Sequence, residues 1–298
     1  MTRSRWLVVA AVALAGATGC GRFGNDDTRA GHKERIVSVS KQYTEILYAL
    51  GATDDLVAVD VSSTYPPEAK KLPTVGYHRA LSAEGMLAAR PTLILSGGPS
   101  NIGPEHVVQQ LESLRIPMKY WDVPGTLDGA RQLIRDMGKE FNKVARADSI
   151  VAALDADMAR ALDPGRAPAD TPSVAIIHYG QAMNQYFLIS SRGVAGEMVR
   201  WAGGRMAIGD TLAGMTRMAS PELLAKANPD VILMTDFGYD RLAGQKDILA
   251  LPGVAATKAA RDGRIFRIEE HDIIYFGPRT GKNVELIRTL LHQPGHPE

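Results

Sequence analysis

The sequence has almost no cysteine and no surplus of charge of either sign. Its 298 residues include one cysteine, Cys20, which excludes a disulfide framework and any zinc or iron–sulfur site built from several cysteines. Lysine and arginine number 34 against 33 aspartate and glutamate, a formal net charge of +1. Nucleic-acid-binding proteins normally show a clustered basic surplus, so no nucleic-acid partner is expected. With 45% hydrophobic residues, the chain is too apolar to be disordered and is long enough for two domains.

Common catalytic motifs are also lacking. The sequence contains no Gly-x-Ser-x-Gly elbow and no His-Glu-x-x-His motif. Residues 277–282 are similar to a phosphate-binding loop, but the segment is one residue short and Asn283 stands where magnesium needs a serine or threonine. An enzyme is therefore the less favoured interpretation, and we expect a binding function.

The N-terminus has the order of a signal peptide. Two arginines come first, then the apolar run 6–15, then small residues up to Cys20, which predicts a signal peptide over residues 1–19. The apolar run is shorter than the roughly 20 residues that a membrane span needs. Residues 17–20, Ala-Thr-Gly-Cys, resemble a bacterial lipobox, and this resemblance implies that Cys20 carries lipid on the extracytoplasmic face of a bacterial membrane. An ordinary secretory signal with an incidental cysteine is the alternative.

Short apolar strands alternate with helical stretches along the rest of the chain. This alternation predicts an α/β fold with mainly parallel sheets covered by helices on both faces. Residues 20–34 are rich in glycine and charge, as in a solvated tether. We expect an N-terminal α/β lobe over 35–125, a long helical linker over 126–163 with Gly138 as a break, and a C-terminal α/β lobe over 164–298. A single stiff connector between two Rossmann-like lobes predicts a small hinge motion.

An internal repeat supports two lobes of like architecture. Residues 81–95 align without a gap on residues 219–233. In each copy a serine caps a helix, a glutamate lies in the first turn where the helix dipole favours it, and a proline precedes a buried strand. These serines and glutamates are Ser82, Glu84, Ser220 and Glu222.

The loop before the first repeated helix carries Tyr77, at the end of the lobe where open α/β sheets bind ligands. Residues 76–85, Gly-Tyr-His-Arg-Ala-Leu-Ser-Ala-Glu-Gly, and residues 276–280, Phe-Gly-Pro-Arg-Thr, resemble segments of the haem-binding substrate-binding proteins of bacterial ABC haem importers. That family belongs to the helix-linked, two-lobed class of periplasmic binding proteins. The resemblance extends from Arg35 to about Leu291.

The resemblance implies specific site residues. In that family the tyrosine of the Gly-Tyr-x-Arg segment is the axial ligand of ferric haem, and the arginine hydrogen-bonds the phenolic oxygen, which places Tyr77 and Arg79 in these roles here. Ferric iron is a hard acid that favours an anionic oxygen, and a nearby guanidinium favours the phenolate. Candidates for a second contact with the haem are Met215, which the repeat pairs with Tyr77, His178 and His271. Candidates for pairing with the haem propionates are Arg217, Arg241 and Arg279.

The function implied is that of a lipid-anchored receptor. It would bind ferric haem b between the lobes as a transported ligand and deliver it to an ABC permease and its ATPase, with Glu84 and Glu222 docking on the permease. We expect a monomer. A receptor for a ferric siderophore or for cobalamin on the same scaffold is an alternative. A lipoprotein enzyme with His178 or His271 as general base is a further alternative.

Overall fold

Strands and helices are interspersed from Ile36 to His292, and most parallel strands are followed by a helix, as the sequence predicts. This computed structural model describes residues 34–121, 125–166, 168–180, 185–209, 216–218 and 220–295, with the backbone alone for 216–218. The predicted signal peptide, Cys20, nearly all of the predicted tether and Met215 lie outside the described residues.

The N-terminal lobe is built on a parallel four-stranded sheet. Its strands and a neighbouring hairpin are β1 (Ile36–Val39), β2 (Leu56–Val59), β3 (Gly76–Tyr77), β4 (Ala80–Leu81), β5 (Leu93–Ser96) and β6 (Met118–Lys119). Its helices are α1 (Lys41–Leu50), α2 (Ala83–Ala89) and α3 (Glu105–Ser113). The sheet order is β2-β1-β5-β6, and β3 pairs with β4 apart from it. Ile36 and Leu95 pack on one face while Val37 and Ile94 pack on the other, so helices cover both faces.

The segment between the lobes is helical, as expected, but its break lies at residues 141–143 rather than at Gly138 and divides it into two helices instead of a single stiff connector. It forms two helices that pack on each other, α4 (Leu127–Glu140) and α5 (Val144–Ala161). The chain turns at residues 141–143, where Asn142 has a left-handed φ of 55° that asparagine tolerates better than most residues.

Gly138 lies where α4 approaches α5, and it does not break the helix. A Cβ atom at Gly138 would lie 2.4 Å from the Cβ of Ala147 on α5. The missing side chain therefore lets the two helix backbones approach closely.

The C-terminal lobe is built on a mixed sheet. Its strands are β7 (Ser173–Gly180), β8 (Gln185–Ile189), β9 (Arg205–Met206), β10 (Thr216–Met218), β11 (Val231–Thr235) and β12 (Ile265–Ile268). The order is β10-β8-β7-β11-β12, with β9 also paired to β7. Strands β7, β9, β11 and β12 are parallel, and β8 and β10 pair antiparallel. Val174 and Ile176 pack on one face, and Ala175 and Ile177 on the other.

Helices surround this second sheet as they do the first. They are α6 (Val194–Trp201), α7 (Pro221–Ala227), α8 (Asp236–Tyr239), α9 (Gln245–Leu249), α10 (Lys258–Arg261) and α11 (Thr280–His292). Short 3₁₀ helices occur at Pro67–Lys71, Pro99–Asn101, Pro164–Arg166 and Glu270–Asp272. In the part of the chain that the structure describes, no helix is both long and apolar enough to cross a membrane.

Helix α5 connects the cores of both lobes. Its Leu154 and Met158 belong to the hydrophobic core of the N-terminal lobe, and the helix also packs along α11 of the C-terminal lobe. Gly281 lets α11 approach closely, because a Cβ atom there would lie 2.5 Å from the carbonyl carbon of Asp157. The α5 helix is therefore shared between the lobes rather than a free linker.

The repeat is confirmed in the fold. Ser82 Oγ accepts a hydrogen bond from the Gly85 amide at 3.0 Å and caps α2, and Ser220 Oγ accepts one from Leu223 at 3.2 Å and caps α7. Both helices have seven residues and end at a residue with left-handed backbone. Each then leads into a central parallel strand, β5 or β11.

We expect Gly138→Ala to destabilise the protein by about 1–3 kcal/mol, because overpacking at the Ala147 contact outweighs the gain of roughly 1 kcal/mol in helix propensity. Urea unfolding followed by circular dichroism measures the change. The double variant Gly138→Ala/Ala147→Gly removes the clash and should recover most of the loss. Failure of Ala147→Gly to rescue would show that the close approach is not the cause.

Candidate functional site

A cleft opens between the two lobes, at the carboxyl ends of their parallel strands. Its volume is about 590 Å³, within the range of about 300–1,000 Å³ typical of small-molecule sites. Residues from the N-terminal lobe that line it include Val39, Ser40, Lys41, Gln42, Tyr77, His78, Arg79, Gly97 and Asn101. Residues from the C-terminal lobe include His178, Gly180, Phe187, Ile189, Arg192, Val194, Ala195, Glu270, Ile274 and Tyr275.

Tyr77 is placed at this cleft by the β3–β4 hairpin. Gly76, just before it, has a φ of 92°, and a Cβ atom there would lie 2.8 Å from the carbonyl oxygen of Ala80. Glycine is therefore required for the hairpin to close. The Gly76 carbonyl accepts a hydrogen bond from the Val61 amide at 2.9 Å, which ties the hairpin to the chain after β2.

The charges around Tyr77 act in opposite directions. Burial raises the pKa of the half-buried phenol above its ordinary value. The positive charge of Lys41, and to a smaller extent that of Arg79, acts to lower this pKa, while Glu270 acts to raise it. At neutral pH, and without a bound metal, Tyr77 is a neutral phenol with two cations near enough to stabilise its anion.

His78 connects Tyr77 to a buried acid. The two rings lie 4.0 Å apart between centroids, and His78 Nδ1 lies 3.3 Å from Asp60 Oδ2. Burial acts to raise the pKa of Asp60, but hydrogen bonds from His78, Ser62 and Ser63 outweigh it and keep the pKa below its usual range. His78 therefore packs beside Tyr77 with Nδ1 turned towards Asp60.

Arg79 lines the cleft with an exposed side chain. Its guanidinium donates a hydrogen bond to Asn101 Oδ1 at 2.8 Å, and the Asn101 amide donates to the Gly97 carbonyl at 3.0 Å. Asn101 was missed by the sequence analysis. The hydrogen bond that the resemblance implies for Arg79 is to the Tyr77 oxygen, whereas the one formed here is to Asn101.

The opposite wall of the cleft is mostly apolar. Phe187 and Ile189 on β8, Val194 at the start of α6 and Ile274 present hydrocarbon surface. The polar side chains on this wall include Arg192, Glu270 and His178, and His178 lies near the end of β7 with Nδ1 3.4 Å from the Thr235 hydroxyl. Burial lowers the pKa of His178 below its ordinary value, so its imidazole is neutral at neutral pH.

An ion pair between the lobes lies at the cleft and was also missed. Lys41 begins α1 of the N-terminal lobe, and its ammonium contacts a carboxylate oxygen of Glu270, which follows β12 in the C-terminal lobe. Their side chains are 11% and 4% exposed. Each residue lies two positions after a parallel strand, at the carboxyl edge of a sheet, and this position is the signal that could have identified them.

Three residues predicted at the site are not among the described residues that line the cleft. His271 is buried beside Thr64 and Tyr65. Arg241 lies over the Tyr179 ring, 4.6 Å from its centroid. Arg279 lies in an ionic cluster with Glu45 and Asp272 and stacks on Tyr65. Of the other predicted contacts, Arg217 is described in its backbone alone, and Met215 is outside the described residues.

The predicted docking glutamates occupy matching places in the two lobes. Glu84 lies in the first turn of α2 and Glu222 in the first turn of α7, and both side chains are exposed. In the described part of the chain, no cluster of three or more His, Cys, Asp or Glu side chains is arranged to hold a metal ion.

A family model described as periplasmic binding protein matches residues 36–271. The chain belongs to the periplasmic binding protein family. The predicted α/β fold with mainly parallel sheets is thereby confirmed. Proteins of this kind act outside the cytoplasm with ABC transporter permeases.

Proteins whose names give different ligands are similar to the chain. The apo form of the periplasmic heme-binding protein RhuT from Roseiflexus sp. RS-1 is 33% identical, with a TM-score of 0.76 over 87% of this chain and 98% of that chain. The periplasmic heme-binding protein BhuT, in complex with two hemes, is 30% identical, with a TM-score of 0.73 over 87% and 97%. The vitamin B12-binding protein of Pectobacterium carotovorum subsp. carotovorum (strain PC1) is 38% identical over 104 residues. That match covers 35% of this chain and 37% of the relative.

We expect the unfolding free energy of this periplasmic binding protein to decrease as the pH falls from 6.5 to 4, because of His271. Burial lowers the pKa of His271 to about 4. The unfolded chain takes up the proton at a higher pH than the folded chain, so the contribution is present above pH 6.5 and is lost as the pH falls. The loss amounts to about 3 kcal/mol.

Urea unfolding of the wild type and of His271→Gln across this pH range measures the effect. The variant should show a flatter dependence of unfolding free energy on pH, whereas His106→Gln, at an exposed position, should behave as the wild type. Parallel pH profiles for the wild type and His271→Gln would contradict the assignment.

Proposed function

We propose that the protein is a haem receptor: it binds ferric haem in the cleft between its lobes and delivers it to an ABC permease. The observation that carries this proposal is the place of Tyr77, a half-buried phenol on the cleft wall. Its hairpin is fixed by Gly76, and the positive charges of Lys41 and Arg79 act to lower the pKa of its phenol, against burial and the charge of Glu270. The task is binding and release, with no bond made or broken in the porphyrin.

Tyr77 supplies a suitable oxygen ligand for ferric iron. The phenol is neutral in the free protein, and a trivalent metal favours the phenolate strongly. The charges of Lys41 and Arg79 act in the same direction as the metal. His178, a neutral imidazole on the opposite wall, can supply a nitrogen ligand on the other side of the iron.

The apolar wall suits a porphyrin face. Phe187, Ile189, Val194 and Ile274 offer hydrocarbon surface that a flat macrocycle would remove from water on binding. Arg79 and Arg192 line the same cleft, and we place the propionates near them, since guanidinium groups match carboxylate geometry. The names of RhuT and BhuT, both heme-binding, support this ligand.

Cobalamin is the second candidate, because several of the curated relatives are named vitamin B12-binding proteins. It is also a large metal-containing macrocycle, and the family scaffold alone does not select between the two. A receptor for cobalamin does not need a phenolate at position 77, so the dependence of binding on Tyr77 separates the candidates.

Delivery completes the proposal. Glu84 in the N-terminal lobe and Glu222 in the C-terminal lobe lie exposed on equivalent helices. Each would pair with basic residues of the permease. A lipid on Cys20 would hold the receptor at the membrane.

Tyr77→Phe should lose most of the Soret absorbance that the wild type gains on titration with hemin, and its affinity should fall by more than about tenfold, or ~1.4 kcal/mol. The change removes the oxygen ligand and keeps the ring that packs beside His78. Tyr48→Phe is the matched control, because Tyr48 is a partly buried tyrosine on α1 that does not appear among the described residues lining the cleft.

The same titration with hydroxocobalamin tests the second candidate. Haem-specific binding predicts no measurable cobalamin affinity in the wild type. The haem assignment would be contradicted if Tyr77→Phe bound hemin with the affinity and spectrum of the wild type. It would also be contradicted if both proteins bound cobalamin tightly and equally well.

Glu84→Ala and Glu222→Ala should each slow haem uptake into vesicles that hold the cognate permease and ATPase several-fold, with hemin affinity unchanged. Ion-pair docking is screened by salt, so the difference from wild type should shrink as the salt concentration rises. Glu112→Ala, an exposed glutamate on α3, is the control. Equal uptake by all four proteins would contradict the docking role.

A further inference from the structure

Three ionisable side chains meet at the cleft. Lys41 Nζ contacts Glu270 Oε1, and His178 Nδ1 lies 3.6 Å from the other carboxylate oxygen, Glu270 Oε2. All three line the cleft, and the Lys41 and Glu270 side chains are almost completely buried. Lys41 comes from one lobe, while His178 and Glu270 come from the other, at the ends of β7 and β12.

The two oxygens of Glu270 have different surroundings. Oε1 is engaged by Lys41, whereas Oε2 is buried and has no hydrogen-bond partner among the described residues. A buried carboxylate oxygen without a donor costs free energy, of the order of 1–3 kcal/mol. The imidazole of His178, at 3.6 Å, is the ring next to this oxygen, and a small rotation of it brings Nδ1–H within hydrogen-bond distance.

We infer that Glu270 is a positioning residue for His178. It accepts a hydrogen bond from Nδ1–H, so that Nε2 is the unprotonated nitrogen that can bind a metal in the cleft. Histidines that bind metals almost always donate their other ring N–H to a carboxylate or carbonyl, which fixes the tautomer and raises ligand basicity. The Thr235 hydroxyl, which can accept or donate, lies 3.4 Å from the same Nδ1 atom, so this oxygen and Glu270 Oε2 lie at the same edge of the ring. This inference rests on the proposed binding of haem.

Lys41 extends the arrangement across the cleft. Its ammonium holds Glu270 Oε1, which orients the carboxylate so that Oε2 is directed to His178. The N-terminal lobe thus orients a ligand residue of the C-terminal lobe. Lys41 is positioned in turn as the first residue of α1, directly after the cap residue Ser40 that follows β1.

A double-mutant cycle between His178 and Glu270 tests the inference. The wild type, Glu270→Gln, His178→Ala and the double variant are loaded with hemin, and the rate of haem loss to apomyoglobin and the electron paramagnetic resonance spectrum are recorded. Glu270→Gln should speed haem loss by about tenfold and move the spectrum towards that of His178→Ala. In the His178→Ala background, Glu270→Gln should change neither quantity.

Glu269→Gln is the matched control, because this neighbouring acid pairs with Arg267 instead. If Glu270→Gln leaves Lys41 too costly to bury and the protein fails to fold, the variant Lys41→Met/Glu270→Gln removes both charges and takes its place in the cycle. Equal acceleration by Glu270→Gln in both backgrounds would overturn the inference, since Glu270 would then act through the fold alone.

The outcomes separate this inference from the proposed function. If His178→Ala changes neither the rate nor the spectrum while Tyr77→Phe changes both, haem binding stands and the role of Glu270 is overturned. If the wild type acquires no Soret band with hemin, both are overturned.

Discussion

The contact between α1 and residues 270–279 is the interaction on which the cleft depends. Lys41 and Glu45, one turn apart on α1, carry opposite charges and pair with Glu270 and Arg279 of the other lobe. All four side chains are largely buried. Breaking a buried pair by removing one partner typically costs about 3–5 kcal/mol. Separating the lobes would leave these buried charges without partners. The two ion pairs therefore hold the lobes at one spacing.

This fixed spacing places two unlike walls face to face. The N-terminal wall carries Tyr77, and it is polar because its hairpin and the loops after β1 and β5 expose hydroxyl, amide and guanidinium groups. The C-terminal wall is mostly hydrocarbon, with polar side chains that include His178, Arg192 and Glu270. A flat molecule with a metal at its centre, an apolar face and charged substituents at its rim matches such a cleft better than a small polar solute does.

Local signals in the sequence were enough to predict the lobes, the repeat and the place of Tyr77. The short apolar strands, the serine caps and the loop that carries Tyr77 are each encoded by residues close together in the sequence. The break in the linker was expected at Gly138 but lies at residues 141–143, because Asn142 makes the turn and no glycine or proline marks it in the sequence. Lys41 and Glu270 could not be paired because 229 positions separate them, and Arg279 was assigned to the ligand because a residue type does not reveal its partners.

The most direct test of the account is a crystal structure of the hemin complex with anomalous data at the iron edge. The account predicts an iron peak in the cleft, bonded to Tyr77 Oη, with the porphyrin against Phe187 and Ile189. An iron peak without contact to Tyr77, or a porphyrin bound outside the cleft, would contradict it.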